Sequence, residues 1–193
     1  MDNEIIEKTK QHFLDTIKAT DPASMYPYLP RHVIEVEKWA KKLLQKHPEA
    51  DKEITLLSVW LHDIGQAIGN KDDDHAVKSG DEANRFLPEL GLDKERIEKV
   101  FHCVRAHRCK DVQPETIEAK ILAVADSATH MTDINYIVHL SDKSGNWGRS
   151  KEWVLEKLER DYRDIGLFPE FQKEIRPLYE AWKQLLNVYP DKL

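Results

Sequence analysis

The sequence predicts an all-α fold, with the whole chain, residues 1–193, forming one irregular helical domain. Apolar residues recur at intervals of three and four through most of the chain, which is the spacing of an amphipathic helix, and no segment alternates convincingly as a strand does. Hydrophobic residues make up 40% of the chain and include five Trp, which suits one sizeable buried core and excludes a disordered or collagen-like polymer.

Three helices are predicted in the first third of the chain. The first covers about 3–19, and the second follows Pro30 and covers about 31–46. The third covers about 52–64 and contains the run ITLLSVWLHDIG, which is apolar on nearly every side. Such a helix is typical of the centre of a domain, and Gly65 is expected to end it.

Five more helices are predicted in the rest of the chain. They cover about 75–87, about 94–108, a long segment from Pro114 through AKILAVADSATHMTDINYIV, about 151–165 and about 169–188. The stretch SDKSGNWGRS breaks this series and is the clearest candidate for a hinge. The Trp and Tyr residues of the last two helices are predicted to pack in the core, with a homodimer interface as the alternative.

Composition narrows the range of partners. No stretch approaches the roughly 18 apolar residues of a membrane span, and the N-terminus lacks the apolar core of a signal peptide, so we expect a soluble cytoplasmic protein without a membrane partner. A net charge of −6 offers no overall basic field for a nucleic acid polymer. A small molecule is therefore the expected partner. The two cysteines, Cys103 and Cys109, are interpreted as structural thiols of a reducing compartment.

The dipeptide His62-Asp63 lies at the end of the most apolar helix, where an unpaired charge would be costly. A metal ion is one partner that would stabilise both side chains. Adjacent helical residues point about 100° apart, and two such side chains can still converge on one ion at a helix end. The dipeptide by itself fits a structural role equally well.

Other His and Asp residues occupy comparable positions. His32 opens one helix, His75 opens another, and Asp126 interrupts the apolar run ILAVADSA. A carboxylate in such a run would be poorly solvated unless something bound it, although a capping or salt-bridged Asp is the alternative. For His75, the alternative is a solvated helix start capped by Asp73 or Asp74.

Periodicity chooses between two histidines of the helix over about 94–108. Val100, Val104 and His107 follow the i, i+4, i+7 spacing and share one face. His102 lies about 200° from Val100 and should point elsewhere. We therefore favour His107 as the functional residue.

In this order, the His and Asp residues resemble those of the HD superfamily of metal-dependent phosphohydrolases. The segments that carry the resemblance are RHVIEVEKWA, LLSVWLHDIGQ, DHAVKSGDEANRFL, VFHCVRAHR and EAKILAVADSATH. The resemblance implies an HD-domain core over about 30–140, with the N-terminal helix of residues 1–20 and the C-terminal helices of residues 150–190 packed on it.

The resemblance also implies a site. One divalent metal would be held by His32, His62, Asp63 and Asp126, of which His62 and Asp63 form the catalytic pair. In two-metal relatives, the positions of His75 and His107 hold a second ion, which the carboxylate at the position of Asp63 bridges to the first. Many relatives carry Lys after HDIG, where this chain has Gln66, so a cyclic-dinucleotide phosphodiesterase is disfavoured.

Imidazole and carboxylate ligands suit Mn, Fe, Co, Ni or Zn better than Ca. In a hydrolase, such an ion would activate water and polarise a phosphoryl oxygen. Candidate substrate contacts are the cations near the proposed ligands and a histidine four residues after Asp126, namely Arg31, Lys78, Arg105, Arg108 and His130. Each cation could equally be an ordinary surface residue, and His130 could be an outer-shell donor or a plain packing residue.

The resulting hypothesis is a metal-dependent phosphohydrolase that acts on a small phosphorylated metabolite, most plausibly a nucleotide. Two alternatives remain open on the sequence. HD-fold di-iron oxygenases use a six-ligand set that this chain also contains, and a non-catalytic metal- or nucleotide-binding module would need only the ligands themselves.

Overall fold

A computed structural model of the chain describes residues 2–20, 28–69, 73–141 and 147–188. Every regular element within these ranges is helical, which confirms the predicted all-α fold. The α-helices are α1 (Asp2–Ala19), α2 (Leu29–Lys46), α3 (Lys52–Leu61), α4 (Gly65–Ile68), α5 (His75–Phe86), α6 (Lys94–Ala106), α7 (Ile117–Thr132), α8 (Asn135–Leu140), α9 (Trp147–Ile165) and α10 (Pro169–Val188).

The chain divides into two compact units, Met1–Ala125 and Asp126–Leu193, and α7 passes from the first into the second. The first unit contains α1 to α6 and most of α7. The second contains the end of α7 and α8 to α10. A single domain over residues 1–193 stays a prediction.

Helix α3 lies at the centre of the first unit, as its apolar sequence predicts. It contacts α1, α2, α5 and α6, and its residues from Ile54 to Leu61 are all buried. Its first turn is fixed by Asp51, whose side chain accepts a hydrogen bond from the Ile54 amide (3.1 Å) and a second from Arg96 Nη1 (3.0 Å). The central helix is therefore anchored at its start by a cap and an ion pair.

The end of α3 differs from the prediction. The helix ends at Leu61 rather than near Ile64, and Gly65 begins α4 instead of acting as a stop. The reason for a glycine here is close approach, because a Cβ at Gly65 would lie 2.2 Å from the His75 carbonyl oxygen and 2.8 Å from the Ser79 amide nitrogen. The absence of a side chain lets the backbone of α5 pack directly against the turn after Asp63.

Two further helix starts follow from local chemistry. Helix α2 begins at Leu29, two residues earlier than predicted, because Pro30 fits the first turn, where its missing N–H is not needed. Helix α5 begins at His75 as predicted, and Asp74 caps it by accepting a hydrogen bond from the Ala76 amide (2.9 Å). A 3-10 turn, Leu87–Leu90, follows α5.

The long helix predicted from Pro114 onward is two helices in the structure. Helix α7 ends at Thr132 and α8 begins at Asn135. The break is at Asp133, whose Oδ1 accepts a hydrogen bond from the amide of Asn135 (2.7 Å), the first residue of the second helix. The predicted hinge falls largely on residues 142–146, outside the described ranges.

In the second unit, α9 packs against α8 and α10. Tyr162 and Tyr179 stack across the α9–α10 contact with their ring centroids 3.9 Å apart. Trp182 Nε1 donates a hydrogen bond to the Met131 carbonyl (2.9 Å), whereas Trp153 is 36% exposed and lies against the His139 ring, with the two rings tilted by 35°. The core prediction therefore holds for Tyr179 but not for Trp153, and a homodimer interface stays a prediction.

Within the described ranges, no helix combines the length and the apolar character that crossing a bilayer requires. Cys103 is buried in the first unit, and this burial raises the pKa of its thiol to about 12. That thiol stays protonated at neutral pH, in agreement with a structural role.

Candidate metal centre

Four imidazoles surround the carboxylate of Asp63, two on each oxygen. His32 Nε2 and His62 Nε2 lie 3.7 Å and 3.6 Å from Asp63 Oδ2. His75 Nε2 and His107 Nε2 lie 3.3 Å and 3.8 Å from Asp63 Oδ1. The sequence-predicted residues of the first unit are thus brought together around one carboxylate.

Most of these side chains lie at the ends of helices. His62 follows the last residue of α3, His107 follows the last residue of α6, and His75 is the first residue of α5. His32 lies in the first turn of α2. Asp63 sits in the turn between α3 and α4, which the Gly65 contact holds against the start of α5.

The ring orientation of two histidines is fixed by backbone carbonyls. His62 Nδ1 lies 2.8 Å from the Val59 carbonyl oxygen, and His107 Nδ1 lies 2.6 Å from that of Val104. A carbonyl can only accept, so each Nδ1–H donates. In a neutral ring the lone pair is then on Nε2, the nitrogen that faces Asp63, which is the arrangement of histidines that bind metals.

The electrostatics of the cluster favour a bound cation. Asp63 is 5% exposed, and this burial would raise its pKa, but the positive charge of the surrounding imidazoles in their protonated form holds the pKa well below its usual range. The carboxylate is therefore ionised at neutral pH. An ionised oxygen that faces electron-rich nitrogens is stabilised when a proton or a metal ion lies between them.

The donor atoms around Asp63 lie farther apart than in ordinary direct hydrogen bonds. Two donors that share an ion at about 2.1 Å lie about 3.0–3.4 Å apart. The distance from Asp63 to His75, 3.3 Å, lies in that range, and the distances to His62, His32 and His107, 3.6–3.8 Å, are longer than both this range and the usual hydrogen bond. Among the described residues of the first unit, two sets of ligand atoms lie within 4.8 Å of one another, namely those of His32, His62 and Asp63 and those of Asp63, His75 and His107. The buried cluster could hold a divalent ion, and its nitrogen and oxygen donors suit a transition metal.

Asp126 is the first residue of the second unit and is buried on α7. One turn further along the helix, His130 Nε2 lies 3.5 Å from Asp126 Oδ1. His130 is also buried, so it is not a plain surface residue. The assignment of Asp126 as a metal ligand stays a prediction.

The two histidines compared by helical periodicity have different surroundings. His107 is buried and faces Asp63, whereas His102 is half-buried and its Nε2 accepts a hydrogen bond from the Glu115 amide (3.1 Å). His102 thus holds the segment before α7, and His107 is placed beside Asp63.

The candidate substrate cations are half-buried or exposed, and three have carboxylate partners. Arg108 Nη1 donates to Asp74 Oδ1 (2.7 Å), and Lys78 Nζ lies 3.7 Å from Asp73 Oδ2. Arg105 Nη2 donates to Asp111 Oδ2 (2.6 Å). Arg31 directly precedes His32 on α2. Their role as phosphate contacts stays a prediction.

Sequence reasoning missed a buried group around Asp161 in the second unit. Asp161, on α9, is 1% exposed and interacts with Tyr136, Lys157 and His130. No local signal marks Asp161, because it lies 31 residues from His130 within the charged segment EKLERDYRD. Only the tertiary packing of α7, α8 and α9 brings these side chains together.

Comparison with known families matches the HD domain to residues 31–131, which is more than half of the chain. The matched segment contains all six predicted ligands, from His32 to Asp126. Comparisons with curated proteins and with solved structures gave no significant match. The extent of the family match and the all-helical fold agree with the resemblance of the His and Asp residues to that family: the chain belongs to the HD domain family.

Proposed function

We propose that this HD-domain protein is a metal-dependent phosphohydrolase for a small phosphorylated metabolite, most plausibly a nucleotide. The observation that carries the proposal is the pairing of imidazoles on both oxygens of Asp63. A carboxylate with a nitrogen pair on each oxygen can serve two ions at once. Such a ligand set supports the two-ion form of phosphoryl transfer.

A divalent ion held there would lower the pKa of a bound water and polarise a phosphoryl oxygen. The protein itself supplies orientation. Val59 and Val104 carbonyls fix the rings of His62 and His107, and burial keeps bulk water from competing for Asp63.

Exposure suggests the side from which a substrate approaches. The side chain of His75 is 30% exposed, whereas those of His32, His62 and His107 are at most 3% exposed. Lys78 follows His75 by one helical turn, and its side chain is 42% exposed. A phosphate that enters beside His75 could replace the Asp73 carboxylate as the partner of Lys78.

The acidic net charge of −6 supports a small substrate rather than a polyanion, because repulsion grows with the charge of the ligand. Gln66 is the second residue of α4 and lies three residues after Asp63. It offers an uncharged amide at the position where many relatives carry a charged phosphate contact. Local cations beside the ligands, Arg31, Lys78 and Arg108, are therefore proposed as the substrate contacts, with His130 as a further candidate.

The test is phosphate release by the full chain under anaerobic conditions. Nucleoside mono-, di- and triphosphates and sugar phosphates would be supplied with Mn²⁺ or Co²⁺, and inorganic phosphate would be measured. We expect release from one substrate class and its loss in Asp63→Ala. Lys78→Gln should raise KM more than it lowers kcat, whereas Lys99→Gln, which removes an exposed partner of Glu95 on α6, should change neither.

The outcomes separate the competing functions. Activity that requires iron and air, with stoichiometric oxygen uptake, would assign the di-iron oxygenase function instead. Binding of metal or nucleotide without turnover of any substrate would identify a non-catalytic module. Phosphate release that survives Asp63→Ala would show that the reaction occurs elsewhere in the protein.

A further inference from the structure

We propose that Asp161 is a positioning residue that orients the His130 ring and, through this ring, the carboxylate of Asp126. All these residues belong to the second unit. The inference rests on the proposed function, since it takes Asp126 to be one of the metal ligands. It assigns a role to a buried group that lies beyond the segment matched by the HD domain.

Asp161 is buried and has several donors. Tyr136 Oη donates to Asp161 Oδ2 (2.6 Å), and Lys157 Nζ donates to Asp161 Oδ1 (2.5 Å). A buried carboxylate is costly unless it is paired, so this arrangement restrains the side chains that surround it.

The His130 ring lies between two carboxylates. Its Nδ1 lies 3.3 Å from Asp161 Oδ1 and 3.0 Å from Lys157 Nζ, while its Nε2 lies 3.5 Å from Asp126 Oδ1. Lys157 Nζ also donates to Asp161 Oδ1, and because an ammonium group can only donate, its hydrogen bond to His130 Nδ1 leaves the ring proton on Nε2. That N–H then points toward Asp126.

This arrangement has the chemistry of an outer shell around a metal ligand. A carboxylate that binds a metal is commonly held by hydrogen bonds from a residue behind it. Here His130 faces one oxygen of Asp126, and Asp161 fixes the ring from the other side by holding Lys157, which donates to His130 Nδ1. Tyr136, on α8, holds the second oxygen of Asp161 and so restrains its rotation.

A merely structural role is the competing explanation, because Asp161 also connects α7, α8 and α9. The two roles differ in one measurable respect. If Asp161 acts through His130, its removal matters for metal binding only while His130 is present. If Asp161 only stabilises the unit, its effect on metal binding is independent of His130.

The experiment is a double-mutant cycle on Co²⁺ affinity, measured by calorimetric titration of the full chain. The variants are Asp161→Asn, His130→Ala and the double substitution. We expect each single substitution to weaken Co²⁺ binding about 10- to 100-fold, the range seen for outer-shell changes. The double variant should bind Co²⁺ no more weakly than whichever single variant has the lower Co²⁺ affinity.

Tyr179→Phe is the matched control. It removes a buried hydroxyl of the same unit, which donates to Glu159 rather than toward His130, so it should lower stability without changing Co²⁺ affinity. Lys157→Met is the second test variant in case Asp161→Asn does not fold, because its side chain is 22% exposed and it contacts His130 Nδ1 directly. It should weaken Co²⁺ binding and show the same dependence on His130.

Wild-type Co²⁺ affinity in Asp161→Asn, or in Lys157→Met where that variant is used, would overturn this inference while leaving the proposed function intact. Losses that multiply in the double variant would also overturn it, because Asp161 would then act independently of His130. A wild-type chain that binds no Co²⁺ would overturn both this inference and the proposed function.

Discussion

The backbone N–H of Gly65 donates a hydrogen bond to Ser79 Oγ over 2.8 Å. This bond joins the turn after Asp63 to the second turn of α5, whose first residue is His75. Asp63 Oδ1 and His75 Nε2 lie 3.3 Å apart, and this placement therefore depends on a backbone contact that only glycine permits.

We expect Gly65→Ala to displace the start of α5. The added Cβ would meet backbone atoms of His75 and Ser79, which cannot rotate away as a side chain would. Overpacking of this kind costs about 1–3 kcal/mol in the free energy of unfolding. Urea denaturation should show this loss, and Co²⁺ titration should show weaker binding because His75 moves relative to Asp63.

Gly91→Ala provides the control for this substitution. Gly91 has a φ of +82°, so alanine is strained there by about 1–2 kcal/mol, but its Cβ would meet no atom within 4 Å. It should destabilise the protein without weakening Co²⁺ binding. Wild-type Co²⁺ affinity in Gly65→Ala would show that the Gly65 contact does not position His75.

His107→Ala should weaken metal binding, whereas His102→Ala should leave it unchanged. His107 faces Asp63, so its loss should weaken Co²⁺ binding by at least the roughly 10- to 100-fold that outer-shell changes cause. His102 only accepts a hydrogen bond from the Glu115 amide, so its loss should cost about 1 kcal/mol of stability and leave Co²⁺ affinity unchanged. Weaker binding in His102→Ala than in His107→Ala would reverse the assignment.

Helical periodicity predicts that His107 and His102 lie on different faces, and the structure places His107 beside Asp63 and His102 beside Glu115. The choice of His107 as the functional residue stays a prediction. The burial of α3 likewise follows from a run that is apolar on every side. The sequence does not predict where α3 ends, because Gly65 has the pattern of a helix stop. In the structure a glycine is required there because the backbone of α5, ten residues later, packs directly against it. A contact between helices leaves no local pattern.

The same limit explains two other differences. The break between α7 and α8 depends on the Asp133 side chain, which accepts a hydrogen bond from the first amide of α8 within a sequence that otherwise continues a helical pattern. Asp161 looks like a surface residue in a charged segment, and its burial arises only from the packing of α9 in the second unit. Both depend on side-chain partners that spacing does not specify.

Glu82 should make the stability of the first unit dependent on acid pH. Burial would raise the pKa of Glu82, but hydrogen bonds from Arg85 and His12 lower it to about 2. The unfolded-state pKa is about 4.3, so the ionised side chain stabilises the fold above that pH, and this contribution is lost as pH falls toward 2. This contribution to the free energy of unfolding is about 2–3 kcal/mol before it is reduced by partial solvent exposure of the Glu82 side chain.

Chemical denaturation between about pH 5 and about pH 2 tests this expectation. The free energy of unfolding of Glu82→Gln should fall less steeply over this range than that of the wild type. Glu89→Gln is the control, because Glu89 also pairs with Arg85 but its side chain is 59% exposed. Equal pH dependence in Glu82→Gln and the wild type would contradict the role assigned to the Glu82 network.

Metal binding by the full chain, wild type against Asp63→Ala, is the most direct test of the site. Each protein would be equilibrated with Co²⁺ or Mn²⁺, separated from unbound ions and analysed for metal by mass spectrometry, with circular dichroism to monitor the fold. We expect one or two ions per wild-type chain, and no retained ion in Asp63→Ala or Asp126→Ala with the helical signal preserved. A folded Asp63→Ala that retains the full complement of metal would contradict the assignment of Asp63 as the centre of the site.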